Sequence, residues 1–595
     1  MQRFFPFRFS LIALIAILII ASFFRLYNIA ETPPGLYPDE AMNGNNLLES
    51  LVTGEFKVFY PENNGREGLF MNLQALSVAA FGNEPWALRV VSAIFGILTV
   101  LGVYYLAREL FSRHFERSEE SRDPSANPQD DHLWRYRIFS GEAIALLSAF
   151  FLATSFWHIN FSRIGFRAIM APFFLTWGLY FFLKALRRLD HSKFYIPNSI
   201  LSGIFLGLGF YSYIAYRQMI LLAPLAAALW WWNKSNWNAR KKIFLALLLT
   251  TVTTIFIVAP LGMYYFENPQ DFFGRTSQIS VFSSPSPAKD LTLNVVKTIG
   301  MFFVAGDYNW RHNYAGKPEL FWPVAIAFAI GIIIGLKKIY QLVIPAYEPP
   351  AGRQAGNPAD PSLRRDNKSR LDSRFRGNDN VGTFIILFAW LFLAALPVVI
   401  SNEGLPHALR AIIMIPPAMI LAGYGAVWII EKLKTTLMSL LRTQESSLDS
   451  LPAGRQADPA FADAASGRQV RNGRNKNFVI FSLSFFILIF AFYIAYDAYR
   501  TYFVDWAYRQ EVQGAFAADY VKIGRGLNSL PRELPKYVIV EAGGTDVRGI
   551  PMPAQTVMFI TDTFLPEKQR EKNIFYILPR EKDQIPRGSY STIIR

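Results

Sequence analysis

Long apolar runs recur along the chain, separated by polar segments rich in arginine, lysine, proline and glycine. A helix of about 20 residues crosses the apolar core of a bilayer, which is about 30 Å thick. By this criterion the pattern predicts about eleven transmembrane helices and an all-α polytopic membrane protein. The predicted spans are 10–29, 86–107, 138–157, 168–186, 198–213, 218–232, 243–265, 319–336, 382–400, 408–430 and 478–496.

The basic segments predict the orientation of these spans. With eleven spans, the N-terminus and five basic loops fall on one side, which the positive-inside rule assigns to the cytoplasm. A twelfth apolar segment, 291–306, would break this agreement, so we interpret it as interfacial or re-entrant. We therefore expect a multi-pass protein of the plasma (inner) membrane with a cytoplasmic N-terminus. The predicted outer segments are 30–85, 158–167, 214–217, 266–318, 401–407 and the residues after 497.

Three predicted cytoplasmic segments, 113–133, 345–381 and 435–476, have the composition of disordered inserts. They are polar, and two of them share the words "PAGRQA", at 350–355 and at 452–457. A basic segment of this kind either binds anionic lipid or nucleic acid, or is a tolerated insertion without a role. We favour the second interpretation and expect no nucleic-acid partner.

The end of the chain has a different pattern. Residues 511–530 read as an amphipathic helix, whereas 536–543 and 573–579 read as buried strands. The sequence therefore predicts a transmembrane domain over 1–497 and a small extracytoplasmic α/β domain over 498–595.

Composition narrows the chemistry. The chain of 595 residues is 52% hydrophobic and contains no cysteine, which excludes disulfides, zinc–thiolate sites and cysteine nucleophiles. Its formal net charge is +15, but the lysines and arginines collect in particular loops. We attribute the excess to membrane topology rather than to nucleic-acid binding.

Two adjacent acids, Asp39 and Glu40, follow the first predicted span in "GLYPDEAMNGNN". An ionised carboxylate near a bilayer costs free energy unless water solvates it or a partner group pairs with it. In one interpretation they are solvated loop charges, with Asp39 capping the helix predicted over 40–54. In the other they belong to a site at the outer membrane surface.

Other predicted outer segments carry basic clusters, and outer arginines run against the usual charge bias. Each arginine alone is explained by snorkelling or by pairing with a loop carboxylate. Together with histidines they favour an anionic ligand, because guanidinium groups bind phosphate oxygens in bidentate fashion. The clusters contain His158, Arg163, Arg167, Asp307, Arg311, His312, Glu403, His407 and Arg410.

An acid pair beside phosphate-binding groups suits transfer of a group from a lipid phosphate. No nucleotide-binding loop of the G-x-x-x-x-G-K type is present, which fits a donor other than a cytoplasmic nucleotide sugar. Asp307 and Glu403 make a divalent metal possible, although no ligand spacing specifies one. The rival interpretation is a transporter or flippase of lipid-linked sugars, which would more often place charges inside spans near the midplane. A structural scaffold would leave the basic clusters unexplained.

The segment "YPDEA", the two amphipathic stretches after it and Arg89 at the start of the second span resemble the polyprenyl-phosphate-dependent GT-C membrane glycosyltransferases, specifically the protein O-mannosyltransferase-like family 39. The resemblance is strongest across residues 10–190. It implies that Asp39 is the catalytic base. Many relatives have Lys-Pro-Pro-Leu before the second membrane-surface helix, where this chain has "GREGLF", so Arg66 stands as the phosphate contact.

Taken with the residues, the resemblance implies an inverting transfer of a sugar from a polyprenyl-phosphate donor. The acceptor would be a lipid, glycan or protein at the outer face. Asp39 and Glu40 are the expected catalytic residues. The expected phosphate contacts are Arg66, Arg163, Arg167, Arg311, His312, His407 and Arg410.

Overall fold

The structure is a computed structural model. It describes residues 4–63, 65–111, 131–234, 236–272, 281–343, 381–401, 404–448 and 482–595. Most of the three predicted inserts lies outside the described residues. The parts outside are 113–130, 345–380 and 449–476.

Helices dominate the described chain. Short 3₁₀ turns at Arg167–Ile169, Ile214–Leu221 and Ile412–Met414 begin three of the membrane helices. The α-helices before the C-terminal unit are α1 (Phe4–Leu26), α2 (Pro38–Thr53), α3 (Leu69–Phe81), α4 (Pro85–Phe111), α5 (Asp131–Thr154), α6 (Phe156–Phe161), α7 (Met170–Arg187), α8 (Ser192–Gly209), α9 (Leu222–Trp232), α10 (Trp237–Glu267), α11 (Pro287–Gly300), α12 (Trp322–Val343), α13 (Val381–Val399), α14 (Ile415–Leu448) and α15 (Ser482–Trp506).

Among the described residues, nine helices are long and apolar enough to cross a membrane. Every one of the eleven predicted spans falls on a helix, but two of these helices, α5 and α8, are not among the nine. The borderline segment 291–306 overlaps α11, whose 14 residues are too few to span a bilayer. The protein is thus an all-α polytopic membrane protein with a small sheet-containing unit at its C-terminus.

The spans form one bundle in which α4 is central and packs against α1, α5 and α7. Small residues on α4 allow this close approach: a Cβ at Gly102 would lie 2.8 Å from the indole nitrogen of Trp177. A second group of helices, α7, α8 and α10, packs along one side, while α5, α12 and α14 pack along another. Much of α15 faces outward with exposed aromatic and aliphatic side chains, as expected of a lipid-facing helix.

The loop between α1 and α4, residues 27–84, is named the first external loop after its predicted side of the membrane. It carries the two helices expected from sequence, α2 and α3, joined by a short antiparallel hairpin. Its strands are β1 (Phe59–Tyr60) and β2 (Arg66–Glu67), with Tyr60 opposite Arg66. The hairpin is too short for a strand pattern to reveal it. The turn between its strands contains Asn63, which has a left-handed backbone with φ of 52°.

The C-terminal unit is built around a parallel sheet of three strands, in which Lys536–Val540 lies between Ile574–Ile577 and Tyr590–Ile594. The predicted helix 511–530 is present but divided near Ala517, where φ is 50°. The elements of the unit are α16 (Gln510–Ala515), α17 (Ala518–Ser529), β3 (Lys536–Val540), β4 (Asp546–Val547), β5 (Ile550–Pro551), α18 (Gln555–Thr561), α19 (Pro566–Lys572), β6 (Ile574–Ile577) and β7 (Tyr590–Ile594).

This unit packs directly on the first external loop. Leu36, Ala41 and Leu47 share a buried apolar cluster with Phe559 and Ile560 of α18. Gly44 of α2 lies against the ring of Phe559 so closely that a Cβ there would collide with it. The contact therefore fixes α2, which carries the candidate acids, against the C-terminal unit.

Two boundaries differ from the sequence-based expectation. Helix α14 continues through residues 435–448, which were expected to begin a disordered insert. The final span continues to Trp506, beyond the expected limit at 496, and its last seven residues are π-helical. In both cases the polar residues at the helix end conceal the continuation, because helices extend past the bilayer without an apolar pattern.

Candidate functional site

A cavity of about 240 Å³ opens where the predicted outer segments meet. It combines residues of the first external loop with residues that precede α7, α12 and α14. The lining residues are Tyr37, Asp39, Asn43, Asn63, Arg66, Phe166, Arg167, Ala168, Tyr213, Arg311, His312, His407, Leu409 and Arg410. Seven sequence-predicted site residues are thus brought together, and Glu40 and Arg163 are not among them.

Asp39 lies in the first turn of α2. Pro38 begins the helix, where its fixed φ and missing N–H cost nothing, and Asp39 follows it. No side chain caps this helix, so the capping interpretation of Asp39 is wrong. Instead, Oδ1 of Asp39 accepts a hydrogen bond of 2.7 Å from the side-chain amide of Asn63. The carboxylate is therefore held at the cavity wall by a neutral donor.

Glu40, which the sequence predicts to be catalytic, lies in a buried ion pair and is not among the residues that line the cavity. Its side chain is fully buried and pairs with Arg89, whose Nε lies 3.0 Å from Oε2. The same oxygen accepts from the backbone N–H of Gly165 at 2.7 Å. Arg89 also donates to the carbonyls of Pro33 and Gly35. This buried pair therefore connects the first external loop to α4, and neither charge is directed to the cavity.

Arg66 enters the cavity from β2. Its Nη1 donates to Oδ1 of Asn43 at 2.6 Å, and its Nη2 donates to Oδ1 of Asn46. Burial, reinforced by the charge of Arg167, lowers the pKa of Arg66 to about 10, so it is cationic at neutral pH. Its partners are neutral amides, and its buried Nε has no hydrogen-bond partner in the described chain. The full positive charge is consequently retained at the cavity.

Three further arginines line the cavity. Arg167 donates from Nε to Oε2 of Glu67 at 2.8 Å, which offsets its charge. Arg311 lies with its guanidinium 3.7 Å from the centre of the Tyr37 ring, and burial lowers its pKa to about 10. Arg410 donates from Nη1 to the hydroxyl of Ser401.

Arg163, a predicted phosphate contact, is not among the residues that line the cavity. It is fully buried and donates to three backbone carbonyls at the end of the first span, those of Phe24, Tyr27 and Thr32. Basic side chains commonly satisfy carbonyls at a helix C-terminus in this way. His158 is buried nearby, with Nδ1 2.7 Å from an Arg25 nitrogen. Both residues belong to the packing beneath the site.

Asp307, His312 and His407 form a compact cluster at the cavity wall. Oδ2 of Asp307 lies 3.0 Å from Nδ1 of His312 and 3.7 Å from Nδ1 of His407. The two imidazole rings stack with centroids 5.0 Å apart. Glu403, the other carboxylate expected here, lies outside the described residues.

The environment sets the protonation of this cluster. Burial, reinforced by His312 and Arg410, lowers the pKa of His407 to about 3, so its ring is neutral at neutral pH. Burial by itself would raise the pKa of Asp307. The hydrogen bond with His312 and the attraction of both imidazoles outweigh this effect, so the pKa of Asp307 is lowered overall. The cluster thus combines an ionised carboxylate with a neutral imidazole.

The charge balance of the cavity favours an anionic ligand. Four guanidinium groups line it, and Asp39 is the acidic residue among its lining side chains in the described chain. Glu67 pairs with Arg167, and no ion pair joins Arg66 or Arg311 to a carboxylate of the described residues. Guanidinium groups in such a site suit the oxygens of a phosphate.

Sequence reasoning missed the neutral residues that organise this site. Asn43 and Asn46 hold Arg66, Asn63 holds Asp39, and Tyr37 lies beneath Arg311. One signal was available, since Asn43 follows Asp39 by four residues and therefore shares its helix face. Nothing local connects Asn63 to Asp39, because the hairpin that brings them together is a tertiary feature.

Comparisons with known proteins found likenesses in structure and none in sequence. No family model matches the sequence, and no match is found among curated proteins. In structure, the chain resembles ArnT from Cupriavidus metallidurans bound to undecaprenyl phosphate, with 13% identity, a TM-score of 0.49 and coverage of 98% of this chain and 89% of that one. It also resembles the Archaeoglobus fulgidus oligosaccharyltransferase in the apo form, with 14% identity, a TM-score of 0.43 and coverage of 93% and 64%.

A third similarity, to the S. cerevisiae protein O-mannosyltransferase Pmt1-Pmt2 complex bound to the sugar donor, has 18% identity, a TM-score of 0.32 and coverage of 44% of this chain and 34% of that one. All three likenesses have identities below 25% and TM-scores below 0.5, and they do not single out the O-mannosyltransferase subfamily. The function proposed below rests on the contacts in the cavity.

Proposed function

We propose that the protein transfers a sugar from a polyprenyl-phosphate donor to an acceptor at the extracytoplasmic face of the plasma (inner) membrane. The observation that carries this proposal is the cavity itself, which, among the described residues, is lined by four arginines and by one carboxylate, Asp39. Arg66 and Arg311 supply positive charge for a phosphate, and Asp39 supplies a base. The site lies among segments that the sequence predicts to share one membrane surface.

The reaction follows from these positions. Asp39 removes a proton from the acceptor hydroxyl or amine while the acceptor atom attacks the anomeric carbon of the sugar. The bond between that carbon and the phosphate oxygen breaks, and the electron pair leaves with the polyprenyl phosphate. The guanidinium groups stabilise the charge that develops on the departing phosphate. Attack opposite the leaving group inverts the anomeric configuration, and the proton later passes from Asp39 to water.

Lipid phosphate is a fitting donor for this cavity because its headgroup stays at the membrane surface. The apolar spans provide a membrane environment for the isoprenoid chain, while the arginines face the phosphate. The acceptor is a lipid, glycan or protein, and the acceptor class is left open because the lining residues specify no single one. With its site on the predicted outer face of the membrane, the protein would act in cell-envelope glycosylation.

The test is Asp39→Asn in membranes supplied with polyprenyl-phosphate sugars. We expect transfer to fall by at least about 100-fold, the usual contribution of a general base, while the protein inserts and melts like the wild type. Asp519→Asn is the matched control, since Asp519 is an exposed acid in the first turn of α17. Undiminished transfer by Asp39→Asn would refute the mechanism. Movement of the donor across the membrane without cleavage would instead support a flippase.

A further inference from the structure

The cluster of Asp307, His312 and His407 has the arrangement of a metal site. One ligand atom from each side chain lies within 4.8 Å of the other two. In a tetrahedral zinc site with bonds of about 2.0–2.2 Å, neighbouring ligand atoms are about 3.4 Å apart. The two distances from Asp307 Oδ2, 3.0 Å to His312 and 3.7 Å to His407, lie on either side of that value. Small side-chain shifts would therefore suffice for coordination.

The carboxylate is held in place by the backbone. Oδ1 of Asp307 accepts from the N–H of Asn309 at 2.8 Å, and Oδ2 accepts from the N–H of Ala408 at 2.9 Å. Ala408 is adjacent to His407, so one contact joins the two loops that supply the ligands. Such outer hydrogen bonds orient metal ligands and are typical of metal sites.

One atom of the cluster is left unsatisfied. Nδ1 of His407 is buried and has no hydrogen-bond partner in the described chain, although it faces Oδ2 of Asp307. A buried polar atom without a partner ordinarily costs stability. Coordination would satisfy this nitrogen and would replace the proton that His312 shares with Asp307, because metal ions displace protons from their ligands.

We propose that Asp307, His312 and His407 bind a divalent transition metal of the zinc type, with an open coordination position facing the cavity. Two imidazole nitrogens and one carboxylate oxygen suit Zn²⁺ or Co²⁺ better than Mg²⁺ or Ca²⁺, which prefer oxygen ligands. His312 and His407 both line the cavity, so an ion held here lies beside the phosphate-binding arginines. The binding itself does not depend on the proposed sugar transfer.

The surrounding charges limit the affinity. Asp307 supplies one negative charge, whereas the nearby guanidinium groups of Arg311 and Arg410 repel a cation. We therefore expect micromolar rather than nanomolar binding of free metal. This expectation sets the concentrations that the measurement must cover.

The experiment titrates the full-length protein, purified in detergent and stripped with chelator, with CoCl₂. The wild-type protein should bind one Co²⁺ per chain and develop the visible absorption bands of four-coordinate Co²⁺. X-ray absorption should show two imidazole ligands on the bound ion. His312→Ala and His407→Ala should each weaken binding at least tenfold. His191→Ala is the control, because His191 is an exposed histidine at the start of α8 and should bind like the wild type.

Two results of this titration would overturn the proposed metal site. Absence of saturable binding by folded wild type would overturn the proposal, as would equal Co²⁺ affinity in wild type and His407→Ala. If an alanine variant does not fold, His407→Gln, which keeps a polar side chain of similar length, replaces it in the same titration. Because no donor is present, the result is independent of whether Asp39 catalyses sugar transfer.

Discussion

The side-chain amide of Asn63 donates a 2.7 Å hydrogen bond to Oδ1 of Asp39, joining the turn of a hairpin to the first turn of α2. This contact orients the proposed base from a loop 24 residues away in sequence. The proposed catalytic geometry therefore depends on how the hairpin is held, as well as on the acid itself.

Asn63→Gly should reduce sugar transfer roughly 10-fold, the effect of losing one hydrogen bond to a charged group. Glycine readily adopts the left-handed backbone at this position. The lost activity therefore measures the missing side-chain amide and not backbone strain. The fall should appear in kcat with little change in KM for the donor. Asn573→Gly, at another left-handed asparagine far from the cavity, is the control and should transfer sugar normally. A matching loss in both variants would count against an orienting role for Asn63.

Arg311→Lys should raise the KM for the lipid-phosphate donor about 10-fold. Lysine keeps the charge but loses the planar fork that binds two phosphate oxygens and stacks on Tyr37. Steady-state kinetics with varied donor concentration measures the change. Arg509→Lys is the control, because Arg509 also lies over a tyrosine ring but outside the cavity. An unchanged KM in Arg311→Lys would exclude Arg311 from the phosphate contacts.

Glu40→Gln should destabilise the protein by about 3 kcal/mol, because it leaves the buried charge of Arg89 without its partner. Thermal unfolding in detergent should show the loss as a lower Tm and as reduced yield of monodisperse protein. Asp39→Asn, at the adjacent position, should leave the Tm nearly unchanged. A stable but inactive Glu40→Gln protein would instead support the catalytic role that the sequence predicts for Glu40.

Arg548→Gln should raise the donor KM by up to about fivefold, the limit expected for exposed ion pairs. Arg548 of the C-terminal unit pairs with Glu49 and Glu62 at 2.8 Å, and Glu62 accepts from the amide of Asn46. Asn46 in turn accepts from Arg66 in the cavity. The pairs therefore link the C-terminal unit to a phosphate contact.

The matched control for Arg548 is Arg525→Gln. Arg525 also belongs to the C-terminal unit and pairs with Glu84 of the segment before α4, but that pair does not lead to the cavity. Its removal should leave the donor KM at the wild-type value. An equal rise in KM for both variants would indicate a general loosening of the C-terminal unit rather than a specific link to Arg66.

The sequence by itself determined the spans, the two membrane-surface helices and the strands β3 and β6. Apolar length and period are local properties, so they are readable without the fold. It also predicted that the acid pair and three basic clusters share one membrane surface. Of the nine predicted site residues, seven line the cavity in the structure.

Only the tertiary structure decided which residues at that surface face the cavity. Asp39 and Glu40 are neighbours in α2, but each helical residue turns the side chain by about 100°, so one lines the cavity while the other is buried against Arg89. Arg163 is likewise turned toward carbonyls at the end of the first span. Side-chain direction depends on packing between elements distant in sequence, and for that reason Asn63 and its bond to Asp39 emerge only from the fold.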